Sequence, residues 1–314
     1  MEVVHQLDTI RYNKNSVITI GAFDGVHAAH QEILREAVER ASVLGGRSVV
    51  VTFEPHPKEV VSGGTRRVPM LCTAAEKLKR LEGLGIDMAF VVPFTYEFSR
   101  KTPREFYLEY IINGVGVTEV IEGYNHHFGR DREAGMNEVV ELGKQYNFSV
   151  SAVKMMQVDG ESVSSSRIRN AIAAGEMRLA NRMLGYRYEF SGTVVRGHGR
   201  GRALGYPTAN IILDDARKAV PKIGVYAVQT IVGGRRFGGM MSVGVLPTFF
   251  ETHERTIEVN IFDFDEDIYD ETITVECIER TRNEMKFSSA AELVAEMGND
   301  KLVIQNILQQ NTIH

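Results

Sequence analysis

Cysteine is scarce in this sequence: Cys72 and Cys277 are the only two in 314 residues. They lie far apart and belong to no metal-like cluster, which excludes a disulfide framework and a zinc site and predicts reduced, buried thiols. Long apolar runs are missing, none approaching the roughly 18 residues that a membrane helix needs. The opening residues MEVVHQLDTIRYNKN lack the apolar core of a secretion signal. A cytoplasmic protein without a membrane partner is expected. Positive charge is not in excess either. With 36 lysines and arginines against 41 aspartates and glutamates, the formal charge is −5, the wrong sign for a surface that coats a phosphate backbone, so no nucleic-acid partner is expected. Internal repeats, low-complexity tracts and long charge runs are absent too. What is present is a chain of ordinary apolar content, long enough for two domains with cores of their own.

In the first half, short β-rich runs (Val17–Ile20, Val49–Phe53, Ala89–Val92, Val120–Glu122 and Val150–Val153) alternate with segments of helical period. That alternation predicts a parallel, doubly wound sheet, which binds ligands beyond the carboxyl ends of its strands. Thr73-Ala-Ala-Glu76 reads as a capping box, and Thr102-Pro103 as an N-cap followed by proline in the first helical position. The first strand runs into Gly21-Ala-Phe-Asp-Gly-Val-His27-Ala-Ala-His30, after which Ile33, Leu34, Ala37, Val38, Ala41 and Leu44 trace one helix face. His27 and His30 therefore share one side of a helix start, where unpaired N–H groups and the helix dipole favour a phosphate. Asp24 reads as a turn or cap carboxylate that organises this loop. Thr52-Phe-Glu-Pro-His-Pro57 is a stiff loop, and Gly123-Tyr-Asn-His-His-Phe-Gly129 an aromatic turn carrying the amide of Asn125. Val163-Ser-Ser-Ser-Arg-Ile-Arg169 sets three hydroxyls ahead of two arginines at a helix start. Those groups suit a triphosphate, or serve as a plain serine cap with surface arginines.

After a helix over Glu176–Leu184 the period changes to alternation in Tyr188–Val195, Val225–Ile231, Ile257–Phe264 and Ile273–Ile278, the mark of antiparallel strands closing on themselves. Between the first two lies Gly192 to Asn210, GTVVRGHGRGRALGYPTAN. Gly197, Gly199 and Gly201 alternate with Arg196, Arg200 and Arg202, so bare N–H groups and positive charge can approach an anion together. Pro207 stiffens the chain before Thr208 and Asn210, whose hard oxygens suit Mg²⁺. No GK[ST] closes the loop and no long helix follows the glycines, so it is neither a Walker A loop nor a dinucleotide fingerprint. In the strand around residue 258, alternation sends Ile257, Val259 and Ile261 to one face and Glu258 and Asn260 to the other. Glu258 is thus either a solvated carboxylate or one placed for proton transfer.

GHGRGRALGYPTAN resembles the signature of riboflavin kinases. GAFDGVHAAH is similar to the GxFDGxHxGH form of the nucleotidyltransferase HxGH motif, with Ala29 at the usual glycine, and SSSRIR resembles SSTxIR, with Ser166 for threonine. Val243-Gly-Val-Leu-Pro-Thr-Phe249 and Arg282-Asn-Glu-Met-Lys-Phe287 match further family segments, Ser242 standing where asparagine is common. Nearly the whole chain resembles the bacterial bifunctional riboflavin kinase/FAD synthetase family. The resemblance implies an α/β Rossmann-like nucleotidyltransferase domain over 1–185 and an all-β riboflavin-kinase-like antiparallel barrel with C-terminal helices over 186–314. It implies ATP as co-substrate with Mg²⁺, and riboflavin and FMN as the other small-molecule substrates. Glu258 is the implied base for the riboflavin 5′-hydroxyl, while His27, His30 and Arg169 stabilise adenylyl transfer. ATP contacts are implied for Gly21, Phe23, Asp24, Ser165 and Ser166 in the first domain, and for Gly197, Gly199, Arg200, Gly201, Thr208 and Asn210 in the second. Thr208 and Asn210 also serve the metal, and Asn125, Phe128 and Arg282 the flavin. A kinase with an altered transferase domain, and a flavin-binding protein without turnover, remain open at this point.

Overall fold

The computed structural model describes residues 1–65, 67–123, 135–197, 201, 204–245 and 255–311. Their contacts divide the chain into two compact units, Met1–Ser165 and Ser166–His314.

In the first unit, strands β1 (Glu2–Val4), β2 (Ser16–Ile20), β3 (Arg47–Glu54), β4 (Met88–Pro93), β5 (Glu119–Gly123) and β6 (Ser149–Val153) form one parallel sheet in the order β1-β4-β3-β2-β5-β6. All five strands expected from the sequence are there. The sixth, β1, is only three residues long and is held by its pairing with β4, too short to leave a pattern. Residues such as Val17, Ile18 and Val49–Val51 are fully buried, because helices cover both faces of such a sheet; that is why these strands read as continuous apolar runs. The following helices are α1 (Ala28–Val43), α2 (Pro57–Val61), α3 (Ala74–Gly83), α4 (Tyr96–Ser99), α5 (Pro103–Phe106) and, after a π-helical stretch Tyr107–Val115, α6 (Gly135–Tyr146). A small hairpin of β7 (Gln157–Val158) and β8 (Glu161–Ser162) closes the unit. Helix α1 lays Ile33, Leu34, Ala37 and Ala41 on the sheet. The capping box at Thr73 and Glu76 is complete. The helix at Thr102-Pro103 starts with a full box of its own, closed by Glu105.

From β2 the chain moves to β3 and β4 on one side, then returns to β5 on the other side of β2. This reversal is a topological switch point. The connections after the neighbouring strands β2 and β5 run in opposite directions and open a crevice beyond their carboxyl ends.

The second unit begins with α7 (Ser165–Ala174, its first residue closing the first unit) and α8 (Met177–Leu184). Next come β9 (Tyr188–Val195), β10 (Ala209–Leu213), β11 (Gly224–Val232), β12 (Arg235–Val245), β13 (Arg255–Ile261) and β14 (Thr272–Arg282). They close into an antiparallel barrel, β10-β13-β12-β11-β14-β9. The α/β-plus-barrel architecture is the expected one, with two strands more than the alternation marked. Strand β12 carries Gly238-Gly239, which reads as a breaker. The last helix, α9 (Ala290–Gln310), packs against the strand here, and a Cβ on Gly238 would lie 2.5 Å from the end of the Leu308 side chain, which would have to move aside. The strand expected over Ile257–Phe264 stops at Ile261, since Phe262 N–H turns to the Gly238 carbonyl and Asp263 takes φ 53°. Asn260, on the face opposite Val259 and Ile261, is buried and donates to the Pro207 carbonyl.

Candidate functional site

The crevice of the first unit is built from the end of β2. Gly21 N–H bonds to the Val51 carbonyl of β3, and the chain then turns through Phe23, Gly25 and Val26, all with positive φ (46°, 83° and 37°). Two of these are not glycine, a strained arrangement that persists only where its surroundings enforce it. Asp24 is buried and Oδ1 accepts from the N–H groups of Leu71 (3.0 Å) and Cys72 (3.4 Å). Gly25 N–H reaches the Cys72 thiol at 3.0 Å. The Asp24 carbonyl receives the Ser165 hydroxyl at 3.0 Å. The sequence expectation that Asp24 organises this loop matches these bonds, and Ser165 is brought to the same loop across 141 positions of chain.

His27 is the N-cap of α1, accepting the His30 backbone N–H at Nδ1 (3.3 Å). With Nδ1 as acceptor the neutral ring carries its proton on Nε2, a donor toward an anion. The two imidazoles stack with centroids 3.5 Å apart, and the Phe23 ring meets His30 edge-on at 5.1 Å. The structure thus gathers Phe23, Asp24, His27, His30 and Ser165. Ser166 and Arg169 follow Ser165 on α7. Asn125 and Phe128 lie outside the described residues.

Two charged residues at this end of the sheet were not legible as such. Glu122, at the end of β5, is buried and accepts the Tyr107 hydroxyl at 3.0 Å; burial raises its carboxyl above the ordinary range, against the opposing hydrogen bond. Lys77, 5 % exposed, sits on α3 with its ammonium among backbone carbonyls. The signal for it was a lysine one turn before Leu81 on the buried stripe of that helix.

In the barrel, β10 lies between β9 and β13. Asn210 faces Val195 on one side and Glu258 on the other in the strand register. Two residues earlier, the Thr208 hydroxyl donates to Glu258 Oε2 at 3.2 Å. A Cβ on Gly197 would run into the Asn210 amide, and one on Gly201 into the Tyr206 carbonyl. Gly197 and Gly201 thus stand where the chain passes close to its neighbours, Gly201 against backbone and Gly197 against a side-chain amide. Gly199 and Arg200 lie outside the described residues, as does the Leu246–Phe249 part of the loop after β12. Beside Thr208 a cavity of about 290 Å³ is walled by Val194, Val259, Ile261 and Phe264 and rimmed by the 265–269 turn. Arg196 stacks on Tyr269 of that rim, 4.5 Å from the ring centroid. This acidic turn was missed; its signal was the run DFDEDIYDE straight after a strand. Arg282 directs its guanidinium to Asp300 of α9, with contacts of 2.6 to 3.1 Å.

Both cysteines are buried thiols, and Cys277, enclosed in the barrel, is pushed up to about 12 by burial. No helix among the described residues is long and apolar enough to cross a membrane.

Comparison with known proteins gives two family matches: the FAD synthetase model over residues 9–167 and the riboflavin kinase model over residues 184–308. The bifunctional riboflavin kinase/FMN adenylyltransferase of Listeria monocytogenes is 36% identical over 287 residues, covering 91% of this chain and 90% of that one. Its namesake from Pseudomonas fluorescens is 35% identical over 301 residues, 96% of each chain. A Streptococcus pneumoniae crystal structure described as a macrolide-efflux protein superposes with a TM-score of 0.87 at 33% identity, covering 97% of this chain and 98% of that one.

Proposed function

Because the chain belongs to the bifunctional riboflavin kinase/FMN adenylyltransferase family, we propose that its barrel hosts the phosphorylation and its parallel-sheet unit the adenylylation. The protein converts riboflavin to FMN and FMN to FAD, with ATP as co-substrate of both steps.

The observation that carries the kinase assignment is the Thr208–Glu258 hydrogen bond across the β10–β13 pair. It holds a carboxylate and a hydroxyl side by side, and the residue that bears the hydroxyl, Thr208, lines the 290 Å³ cavity. Glu258 takes the proton of the riboflavin 5′-hydroxyl as that oxygen attacks the γ-phosphorus of ATP and the bond to ADP breaks. The cavity's apolar walls suit a nucleoside, and the glycine-rich segment before Thr208 supplies N–H groups to the phosphates. The hard oxygens of Thr208 and Asn210, next to a carboxylate, fit Mg²⁺. When bound, the ion neutralises charge on the phosphates. Arg282 acts through α9, by fixing the barrel wall on which the flavin lies.

In the switch-point crevice, a phosphate oxygen of FMN attacks the α-phosphorus of ATP and pyrophosphate leaves. His27 and His30 donate to the oxygens on which charge builds, assisted by the N–H groups that open α1. The Ser165 and Ser166 hydroxyls and the Arg169 guanidinium of the SSSRIR motif are the groups proposed to hold the departing pyrophosphate.

Glu258→Gln is expected to lower riboflavin phosphorylation by roughly 10²- to 10⁴-fold, the range of a general base, and to leave adenylylation of supplied FMN unchanged. His30→Ala is expected to do the reverse. Chromatographic analysis of flavin products checks both; loss of the two activities together in either variant would overturn the division.

A further inference from the structure

We propose that Lys77 is a positioning residue for adenylyl transfer: its buried side chain pins the Ala22 and Phe53 carbonyls, fixes the loop that presents Phe23, Asp24 and His27, and brings positive charge to that loop from behind. The proposal rests on the reading that this loop hosts the adenylylation. A lysine is costly where Lys77 stands. It lies in the buried stripe of α3, one turn before the fully buried Leu81, where an apolar side chain would pack without any desolvation of charge.

Its partners show what the charge holds. Nζ lies 3.1 Å from the Thr52 hydroxyl, 3.3 Å from the Ala22 carbonyl and 3.5 Å from the Phe53 carbonyl. The Thr52 hydroxyl in turn donates to Ala22 O at 3.2 Å. Three acceptors match the three donors of an ammonium group, and a neutral amine would leave one of them unserved. Ala22 follows β2 and Phe53 belongs to β3, so one side chain ties together the carboxyl ends of two neighbouring strands. Ala22 also immediately precedes Phe23, the first of the three positive-φ residues.

The other anchors of that loop come from the same stretch of chain. Leu71 and Cys72 hold Asp24, Cys72 holds the N–H of Gly25, and Lys77 holds Ala22. The segment 71–77 is thus a platform under the strained turn. The Lys77 ammonium is its cationic contact, bound to the Ala22 carbonyl at the start of the turn. A cleft of about 10 Å³ beside it is lined by Asp24, Glu54, His56 and Cys72, the titratable groups that face Nζ. Burial lowers the lysine's pKa, and Cys72, Glu54 and Asp24 oppose that shift. The charge is therefore lost at lower pH than on an exposed lysine.

The test is steady-state FMN adenylylation by full-length Lys77→Met and Lys77→Arg beside His30→Ala, with riboflavin phosphorylation measured in the same preparations. Lys77→Met is expected to raise KM for ATP in adenylylation by roughly tenfold or more, the effect of one nearby charge in a partly screened site. Riboflavin phosphorylation should stay as in wild type. Lys77→Arg, which keeps the charge, should recover most of the loss. The alkaline limb of the wild-type kcat/KM profile for ATP should disappear in Lys77→Met. An unchanged KM for ATP in folded Lys77→Met overturns the proposal even if less active enzyme is recovered, because simple loosening lowers the active fraction without moving KM. Where Lys77→Met gives no folded protein, Thr52→Val decides. It removes the hydroxyl that links Nζ to Ala22 O, and a raised KM for ATP supports the proposal while an unchanged one overturns it. Full adenylylation by His30→Ala would instead remove the premise, and the proposal with it.

Discussion

Glu122 shows how one buried carboxyl ties the stability of the first unit to pH. It accepts the Tyr107 hydroxyl, yet desolvation outweighs that bond and its folded-state pKa lies above the ordinary carboxylate value. The protonated form is therefore the one the fold prefers. The contribution is present in full below the unfolded-state pKa and is lost as pH rises through the raised folded value. Urea unfolding of the first unit across that acidic-to-neutral window should show a midpoint that falls with pH, and Glu122→Gln should flatten the dependence. Curves of the same slope for both proteins would contradict it. Cys277 offers a second check: buried, with its thiol pushed up to about 12, it should resist thiol reagents in the native protein and react once unfolded. At this scale His27, His30 and Thr208 stand out as candidates because each lies in a local motif, whereas alternation alone left Glu258 between a solvated and a proton-accepting carboxylate. Lys77 and Glu122 do not stand out, since a charged residue in a helical or strand pattern reads as solvent-facing until tertiary contacts show its partners.

Helix ends and strand edges position the site residues. Thr73 and Glu76 exchange both bonds of a capping box at the start of α3, the helix that carries Lys77. Thr73→Ala should lower stability by about 1 kcal/mol, read from the denaturant midpoint with an unchanged slope. The Arg282–Asp300 pair fixes α9 to the end of β14, Asp300 being 5 % exposed. Asp300→Ala leaves a guanidinium without its main carboxylate and should cost roughly 3 kcal/mol, with a weaker KM for riboflavin than for ATP. An equal effect on both substrates would count against the proposed role of Arg282 toward the flavin. The pattern R-x-E-x-K-F pointed to Arg282, but its partner stands 18 positions later on a separate helix, beyond the reach of local reading. Strands β10 and β12 escaped notice for a related reason: a proline-led segment and a glycine pair look like breaks, whereas one abuts the site and the other makes room for Leu308.

On the scale of the whole molecule, two periodicities in one chain announced two architectures, and the parallel sheet and closed barrel both follow from them. The compact units meet at Ser165, while the change of period lies at Tyr188. Helix α8 explains the interval, since Asn181 binds the Cys277 and Ile278 carbonyls and the Tyr188 N–H. A helical segment can belong to a barrel without sharing its alternation, and only these contacts reveal it.

The proposed division of labour puts one reaction on each unit, with FMN passed between them. Mixing Glu258→Gln protein with His30→Ala protein, in riboflavin and ATP, tests it most directly. The first alone should make neither FMN nor FAD from riboflavin, the second alone should stop at FMN, and the mixture should form FAD. A mixture that forms no FAD, or a His30→Ala protein that makes FAD at the wild-type rate, would contradict that division.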